Sequence, residues 1–169
     1  MYEVGTVVIY GSEGVCRISE IADVRFTGME EARPYYILTP ISNPTSKVYV
    51  PCENEMLVSK MKRVLSYSEI KEMISEDFSL PEWIDDNRLR NKYFKEILLS
   101  YDRKKILALA KLLYLAKNGK EQKKRLYTSD EEMLKKIIKI LHSEFSSVIK
   151  IEPEEVMPFI FGEIECEEK

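Results

Sequence analysis

The sequence predicts an α+β protein in which a small five-stranded β-barrel of the SH3 or Tudor-like type precedes an all-helical domain. Two observations carry this prediction. Short β-branched runs separated by Gly and Pro turns fill about the first sixty residues, as in small all-β domains. Further on, apolar residues recur at helical spacing behind helix-capping side chains. We therefore place a Tudor-like domain at residues 1–60 and a helical domain with an acidic tail at residues 61–169.

Five strands are predicted in the first domain. The first is β-branched and apolar, and the second alternates with period two, as a half-buried strand does. A turn at residues 11–14 separates them, and Asn43-Pro44 marks another turn. The predicted strands cover residues 6–10, 15–21, 34–39, 47–51 and 56–58.

Capping residues place the helix starts in the second domain. Ser66 begins a capping box with Glu69, and Asp86 and Asp102 are each suited to cap a helix. A further capping box is predicted at residues 129–132. The predicted helices cover residues 66–75, 85–99, 102–118 and 129–149, followed by a short helix from Pro153 and a loose tail after Gly162.

Composition limits the possible classes of protein. The chain is 44% hydrophobic and 33% charged, which is typical of a globular protein. No apolar run approaches the ~20 residues of a membrane span, and the N-terminus lacks the features of a signal peptide. The odd set of cysteines, Cys16, Cys52 and Cys166, has no metal-like spacing and argues against disulfides. We therefore expect a cytoplasmic protein that binds neither a metal nor a membrane.

Motifs for catalysis are not found in the sequence. His142 is the only histidine, which leaves little room for a Ser-His-Asp or Cys-His arrangement. The turn at residues 11–14 lacks the Gly-Lys-Ser/Thr ending of a phosphate loop. Adjacent acids such as Asp85 and Asp86 are explained by helix capping. We expect a protein that is not an enzyme and has no cofactor and no small-molecule substrate.

A basic block is the main functional signal. Residues 88–125 contain thirteen Lys or Arg and three acids, although the whole chain has a net charge of −3. This imbalance favours a surface for a polyanion over an ordinary solvated helix face. Cations at residues 103–105 oppose the macrodipole at a helix start, so something other than helix stability favours them there. Trp83 precedes the block, either as an apolar wedge against bases or as a ring packed at an inter-domain seam or under the helix start.

Several segments together identify a resemblance. Residues 2–15 (YEVGTVVIYGSEGV), a strand at residues 35–38 and residues 48–54 (VYVPCEN) lie in the first domain. A basic helix at residues 90–102 and a long helix at residues 126–145 lie in the second. In this order they resemble the CarD/CdnL family of bacterial transcription regulators, over the chain up to about residue 151. The barrel alone also resembles a domain of the transcription-repair coupling factor.

The resemblance implies contacts with RNA polymerase. In that family the barrel binds the lobe of the polymerase β subunit, partly by strand pairing at an exposed edge. By position, the residues that would bind polymerase here are Arg25, Val48, Tyr49, Val50 and Pro51.

The resemblance also implies contacts with promoter DNA just upstream of the opening bubble. There a tryptophan of the family wedges into the minor groove and helps hold the open complex. A gapless alignment places Asn87 at that position, with Trp83 about one turn earlier. A second basic contact of the family meets acidic residues 130–131 here, and the cations at residues 123–125 are the candidates to replace it. The predicted DNA-binding residues are Trp83, Arg88, Arg90, Lys92, Lys95, Lys123, Lys124 and Arg125.

We therefore predict a bacterial transcription regulator that binds the polymerase β subunit and non-specifically contacts promoter DNA, and so modulates open-complex stability. Through polymerase it would be associated with the nucleoid. The alternative is a Tudor-like interaction module whose helical domain binds RNA or ribosomes.

Overall fold

The chain divides into two compact units, Met1–Val64 and Leu65–Lys169. The computed structural model describes residues 2–77, 79–119 and 126–169. The first unit contains the strands and the second is helical, which confirms the predicted α+β class. The fifth strand belongs to the first unit, so the division follows this strand instead of falling at residue 60.

A five-stranded antiparallel sheet forms the first unit, and it confirms the predicted number of strands. The strands are β1 (Val7–Tyr10), β2 (Val15–Val24), β3 (Arg33–Pro40), β4 (Val48–Pro51) and β5 (Met61–Arg63). Their spatial order is β4-β3-β2-β1-β5, so β4 and β5 are the two edges. No pairing among the described residues joins these edges, so the predicted small barrel is an open five-stranded sheet in the described part of the chain.

The segment predicted as the fifth strand, residues 56–58, is helical. It lies in α1 (Glu55–Val58), and β5 follows it. Asn54 begins this helical turn, because its side-chain oxygen accepts a hydrogen bond from the Leu57 N–H at 3.1 Å. A good N-cap residue thus outweighs the apolar, strand-like character of the segment.

One face of the sheet carries the core of the first unit. Side chains alternate along each strand, so every second residue points to this face. The tightly packed core residues are Val8, Cys16, Ile18, Tyr36, Leu38, Val50 and Met61. The hydroxyl of Tyr2 donates to the Met61 carbonyl at 2.7 Å and so ties the N-terminus to β5.

Helices of the second unit begin at or near the predicted caps. The Ser66 N–H donates to Glu69 Oε2 at 2.9 Å, and the Ser66 side chain accepts from the Glu69 N–H, as in the predicted capping box. Asp86 and Asp102 each accept two backbone N–H groups. The helices are α2 (Tyr67–Ser75), α3 (Asn87–Leu99), α4 (Arg103–Lys117), α5 (Thr128–Phe145) and α6 (Val156–Ile160).

The bounds of α5 differ from the prediction. Asp130 Oδ2 accepts a hydrogen bond from the Tyr127 N–H at 2.9 Å, so α5 starts at Thr128 and the predicted capping box at residues 129–132 is wrong. At the other end α5 stops at Phe145. Shortly after this end Ile149 forms a β-bridge with Glu168, and the chain has already left the helix.

At the centre of the helical core lies α4, which packs against α3, α5 and α6. The predicted apolar stripe on this helix is confirmed but is only part of its buried surface. A helix that is apolar nearly all round is expected to be enclosed by its neighbours. The buried residues of α4 are Ile106, Leu107, Ala108, Leu109, Ala110, Leu112, Leu113 and Ala116. No described helix combines the length and hydropathy that a membrane span needs.

The C-terminal tail, expected to be loose, is held against the helical domain. The Lys150 N–H donates to the Glu167 carbonyl at 2.8 Å, and the Tyr67 hydroxyl donates to the Cys166 carbonyl at 3.0 Å. Lys71 forms an ion pair with Glu165 at 2.6 Å. The tail therefore joins α2 to the segment after α5, and backbone hydrogen bonds fix it as well as charge.

Ion pairs within the helical domain account for two of the three cations at the start of α4. Arg103 Nε lies 2.6 Å from Oε1 of the buried Glu144, and Lys104 Nζ lies 2.5 Å from Glu76 Oε2. Lys105 is exposed. Tertiary pairing thus gives Arg103 and Lys104 a reason to occupy a position that the helix macrodipole disfavours.

Burial raises the pKa of Glu144 above its ordinary value of 4.5, and the nearby Arg103 only partly offsets this rise. The folded protein then holds this proton more tightly than the unfolded chain does. As pH rises from about 4.5 through the folded pKa, the free energy of unfolding should fall, at most by about 1.4 kcal/mol per pH unit. We predict that Glu144→Gln flattens this part of the curve, as measured by urea unfolding at a series of pH values. Exposed Glu131→Gln on the same helix is the matched control, and equal slopes for both variants would contradict the assignment.

Candidate protein and nucleic-acid interfaces

The outer edge of β4 is open. β3 pairs with β4 on one side only, and the Cys52 N–H just beyond β4 donates to the Pro34 carbonyl at 2.9 Å. Backbone groups that point toward the partner strand alternate along an antiparallel ladder. The N–H and C=O of Tyr49 therefore point away from β3, toward the open edge. Pro51 points the same way but has no N–H, so it limits how far a strand could pair.

Predicted polymerase-binding residues occupy two different environments. Val50 is buried in the core, so its side chain holds β4 in place and its predicted role changes from contact to support. Val48 is half-buried and packs partly against the core, and its polymerase contact stays a prediction. The side chain of Tyr49 is exposed on the opposite face. Arg25 is exposed in the β2–β3 loop, where its Nε donates to the Met29 carbonyl at 3.1 Å.

Three aromatic rings form a compact cluster beside the β4 edge, which we call the aromatic shelf. Phe26 lies 5.3 Å from Tyr49 and 5.4 Å from Tyr35, and the two tyrosine rings are 6.4 Å apart, measured between centroids. All three contacts are edge-to-face, the arrangement that aromatic quadrupoles favour. Phe26 and Tyr49 are 40% and 39% exposed, so the shelf faces solvent although Tyr35 is buried. Sequence reasoning missed Phe26 and Tyr35, although Phe26 is the neighbour of the predicted Arg25.

On α3, Arg88, Lys92 and Lys95 form a line of exposed cations, which we call the cationic stripe. Their spacing of four and three residues places them on one helical face, opposite the buried Phe94 and Ile97. In the described part of the chain none of the three makes an ion pair. The structure therefore brings these three predicted residues together on an accessible surface.

Arg90, predicted to bind DNA, lies in the interior. Its side chain is 1% exposed and forms two hydrogen bonds with the fully buried Asp130, from Nε at 3.1 Å and from Nη2 at 2.7 Å. Nη1 donates to the carbonyls of Ile84 and Asp85, and Nη2 also donates to the Asn87 side chain. All five N–H donors of the guanidinium are thus satisfied within the protein. Its predicted DNA contact is therefore wrong, because helical periodicity turns this residue inward.

Trp83 packs against the first half of α3. The guanidinium of Arg90 lies 4.4 Å from the centroid of its ring, within the range of a cation–π contact. The ring is also 6.4 Å from that of Phe94 and borders the helical core. These contacts support the interpretation of Trp83 as a ring packed under the helix start, and its use as a wedge stays a prediction.

Two further groups of cations lie outside α3, one predicted from the sequence and one not. Lys123, Lys124 and Arg125 lie outside the described residues. The structure adds a second group of exposed cations that the sequence analysis did not single out, formed by Lys135, Lys136 and Lys139 on α5. Their helical spacing was the signal that could have found them, but the acids that precede them in the sequence concealed it.

Among the described residues, the groups with shifted pKa values are the three thiols, three lysines and Glu144. Burial, with a smaller contribution from Glu13, raises the pKa of the Cys16 thiol to about 11. Burial also raises the pKa of Cys52 and Cys166. Thiols with raised pKa values stay protonated and are poor nucleophiles. Among the described residues no group of three His, Cys, Asp or Glu could hold a metal ion.

The first unit is a small open antiparallel sheet with an accessible edge, an architecture to which a partner strand can add. Residues 2–64 match the family model described as the CarD-like/TRCF RID domain. The N-terminal domain of this chain therefore belongs to that family, which confirms the resemblance for this part of the chain. Because this is an RNA polymerase-interacting domain, the chain has the general role of a polymerase-binding transcription factor. Among curated proteins, no match to the chain was found.

Arg88 and Arg90 are a matched pair of residues with opposite roles. Arg90→Ala leaves Asp130 buried without its partner, and we predict a loss of about 3–5 kcal/mol in the free energy of unfolding. Arg88 is exposed, so Arg88→Ala should change the same quantity by no more than about 0.5 kcal/mol. Urea unfolding monitored by circular dichroism measures both. Similar losses for the two variants would contradict the buried role of Arg90.

Proposed function

We propose that this protein is a transcription regulator that binds the RNA polymerase β subunit through the β4 edge and contacts promoter DNA through the cationic stripe. By these two contacts it modulates the stability of the open complex. One observation carries the proposal: a single chain joins a polymerase-interacting domain with an open strand edge to a helix with unpaired exposed cations. The protein acts by binding and not by catalysis.

Strand addition at the β4 edge is the mode of polymerase binding that the first unit supports. An extended segment of a partner can add to an exposed edge and hydrogen-bond to its outward backbone groups. On β4 these groups are the N–H and C=O of Tyr49 and the C=O of Pro51, because those of Val48 and Val50 point toward β3. Arg25 lies beyond the end of β2 and supplies a charged contact at the margin of the same surface.

DNA contact through the cationic stripe follows from charge and spacing. Each Lys or Arg that meets a phosphate releases condensed counterions, which gives affinity without reading the base sequence. Three such contacts alone give only weak, salt-sensitive binding. Attachment to polymerase makes the second binding event effectively intramolecular, so weak contacts suffice. This also explains how a chain with a net charge of −3 can act on DNA.

An effect on the open complex requires different affinity for open and closed promoters. A ligand shifts an equilibrium only by its differential affinity for the two states. A regulator held on polymerase presents its cationic stripe to the DNA path that exists once the promoter has opened. Its contacts then slow the return to the closed state, which helps promoters limited by opening and hinders those limited by escape.

Replacing Tyr49 with Pro removes the outward N–H without removing a hydrogen bond to β3. We predict that the full-length Tyr49→Pro variant binds cognate RNA polymerase up to about tenfold more weakly than Tyr49→Ala, in which the N–H remains. Surface-immobilised polymerase measures both dissociation constants, with thermal unfolding as a check that both variants fold. Equal affinities of the two variants would remove the strand-pairing mode. If the wild-type protein captured ribosomes and no polymerase from a lysate, the alternative function would be favoured.

Loss of the cationic stripe should weaken DNA contact without weakening polymerase binding. We predict that the triple variant Arg88→Ala, Lys92→Ala and Lys95→Ala binds DNA with a weaker dependence on salt. The slope of log K against log salt concentration should become shallower by roughly 0.9 for each cation removed. The triple variant should also shorten open-complex lifetime on a linear promoter, measured by competitor challenge with cognate polymerase. The control triple variant, Lys135→Ala, Lys136→Ala and Lys139→Ala, removes the same charge from α5. Equal effects of both triples would mean that net charge, not the stripe, determines binding.

A further inference from the structure

We propose that the aromatic shelf receives an apolar side chain from the polymerase segment that pairs with β4, and that this contact selects the partner. The inference rests on the proposed use of the β4 edge and adds the chemistry of the residue that meets it. It concerns Phe26, Tyr35 and Tyr49, of which only Tyr49 belongs to the edge strand itself.

The rings of the shelf are fixed in place before any partner binds. Phe26 comes from the loop after β2 and contacts both tyrosines, at interplanar angles of 83° and 87°. Tyr35 is anchored in β3, and Tyr49 in β4. Mutual edge-to-face contact leaves few alternative rotamers, so little side-chain entropy is lost when a partner covers the shelf.

Strand register determines which partner residue meets the shelf. A segment that pairs with the outward N–H and C=O of Tyr49 places one residue directly opposite it. The side chain of that residue stands on the same face as the Tyr49 ring, about 4.5–5.5 Å away between Cβ atoms. Phe26 contacts Tyr49 from the same region, so the opposing side chain lies next to both rings.

Neighbours of Tyr49 on this face make the position apolar. On β3, the residue opposite Tyr49 is Ile37, which is 5% exposed. The neighbouring pair on the same face of the ladder is Tyr35 with Pro51. A partner side chain in this row is enclosed by rings and aliphatic groups and loses most of its water. A large apolar side chain gains from this, whereas a carboxylate enclosed by the rings would lose hydration.

The position of the exposed rings beside an unpaired strand edge argues for a partner. Isolated exposed apolar residues are ordinary, but a contiguous patch of large rings beside an unpaired edge is typical of an interaction site. In the described part of the first unit, the shelf and the open edge of β4 lie side by side. They offer a partner strand both backbone hydrogen bonds and a side-chain contact.

Phe26→Ala tests the shelf in the full-length protein bound to purified cognate RNA polymerase. We expect its dissociation constant to rise roughly tenfold, the effect of losing one well-packed aromatic contact. The increase should be similar at low and at physiological salt, because the contact is apolar. Ile41→Ala is the matched control, since Ile41 is also an exposed apolar residue of this unit and lies away from the shelf. It should bind as the wild type does.

Substitutions of Tyr49 test the chemistry of the opposing residue. Tyr49→Phe keeps the ring and should preserve the affinity, whereas Tyr49→Lys should weaken binding at least as much as Phe26→Ala. Affinity equal to or higher than that of the wild type for Tyr49→Lys would mean that the partner presents an acid, and it would overturn the proposal. Wild-type affinity of Phe26→Ala would overturn it as well. In both cases the wild-type protein still binds polymerase, so only the role of the shelf fails. If the wild-type protein itself did not bind polymerase, the proposed function would fail.

Discussion

The buried ion pair between Arg90 and Asp130 is the interaction on which the arrangement of the helical domain depends. It joins the start of α3 to the start of α5, and the same guanidinium holds the carbonyls of Ile84 and Asp85 before α3. Two charges removed from water are tolerated only where their hydrogen bonds are complete. Here every guanidinium donor has an acceptor and Trp83 covers the planar face, so the orientation of α3 about its axis is fixed.

Fixing α3 in this way determines what its other cations can do. Arg90, Phe94 and Ile97 point inward, so helical periodicity turns Arg88, Lys92 and Lys95 outward together. The sequence alone predicted a basic surface on this helix but assigned Arg90 to it with the others. A positively charged residue ordinarily counts as exposed, and the acid that buries Arg90 lies far away in the sequence. Only the packing of α5 against α3 distinguishes the buried Arg90 from the exposed cationic stripe.

Local signals made the remainder of the fold predictable to different degrees. Capping at Ser66, Asp86 and Asp102 follows from short-range hydrogen bonds, and these starts were predicted closely. The strands that carry the family motif were predictable for a similar reason, because the alternation of apolar and polar residues is local in the sequence. The aromatic shelf was not, because Phe26 reaches it from a loop and tertiary contacts determine its place. The docked tail was missed for the same reason, since its partners lie on α2 and after α5.

Charge is segregated in the helical domain by pairing, and this explains how an acidic chain keeps a basic surface. The described ion pairs use Lys71, Arg90, Arg103, Lys104 and Lys150, all outside the cationic stripe. Their acids come from the tail, from α5 and from the end of α2, so these five acids are already neutralised locally. Screened, paired charges contribute little to the field beyond about a Debye length. The unpaired stripe therefore keeps its positive charge at the surface of α3, whatever the sign of the total charge.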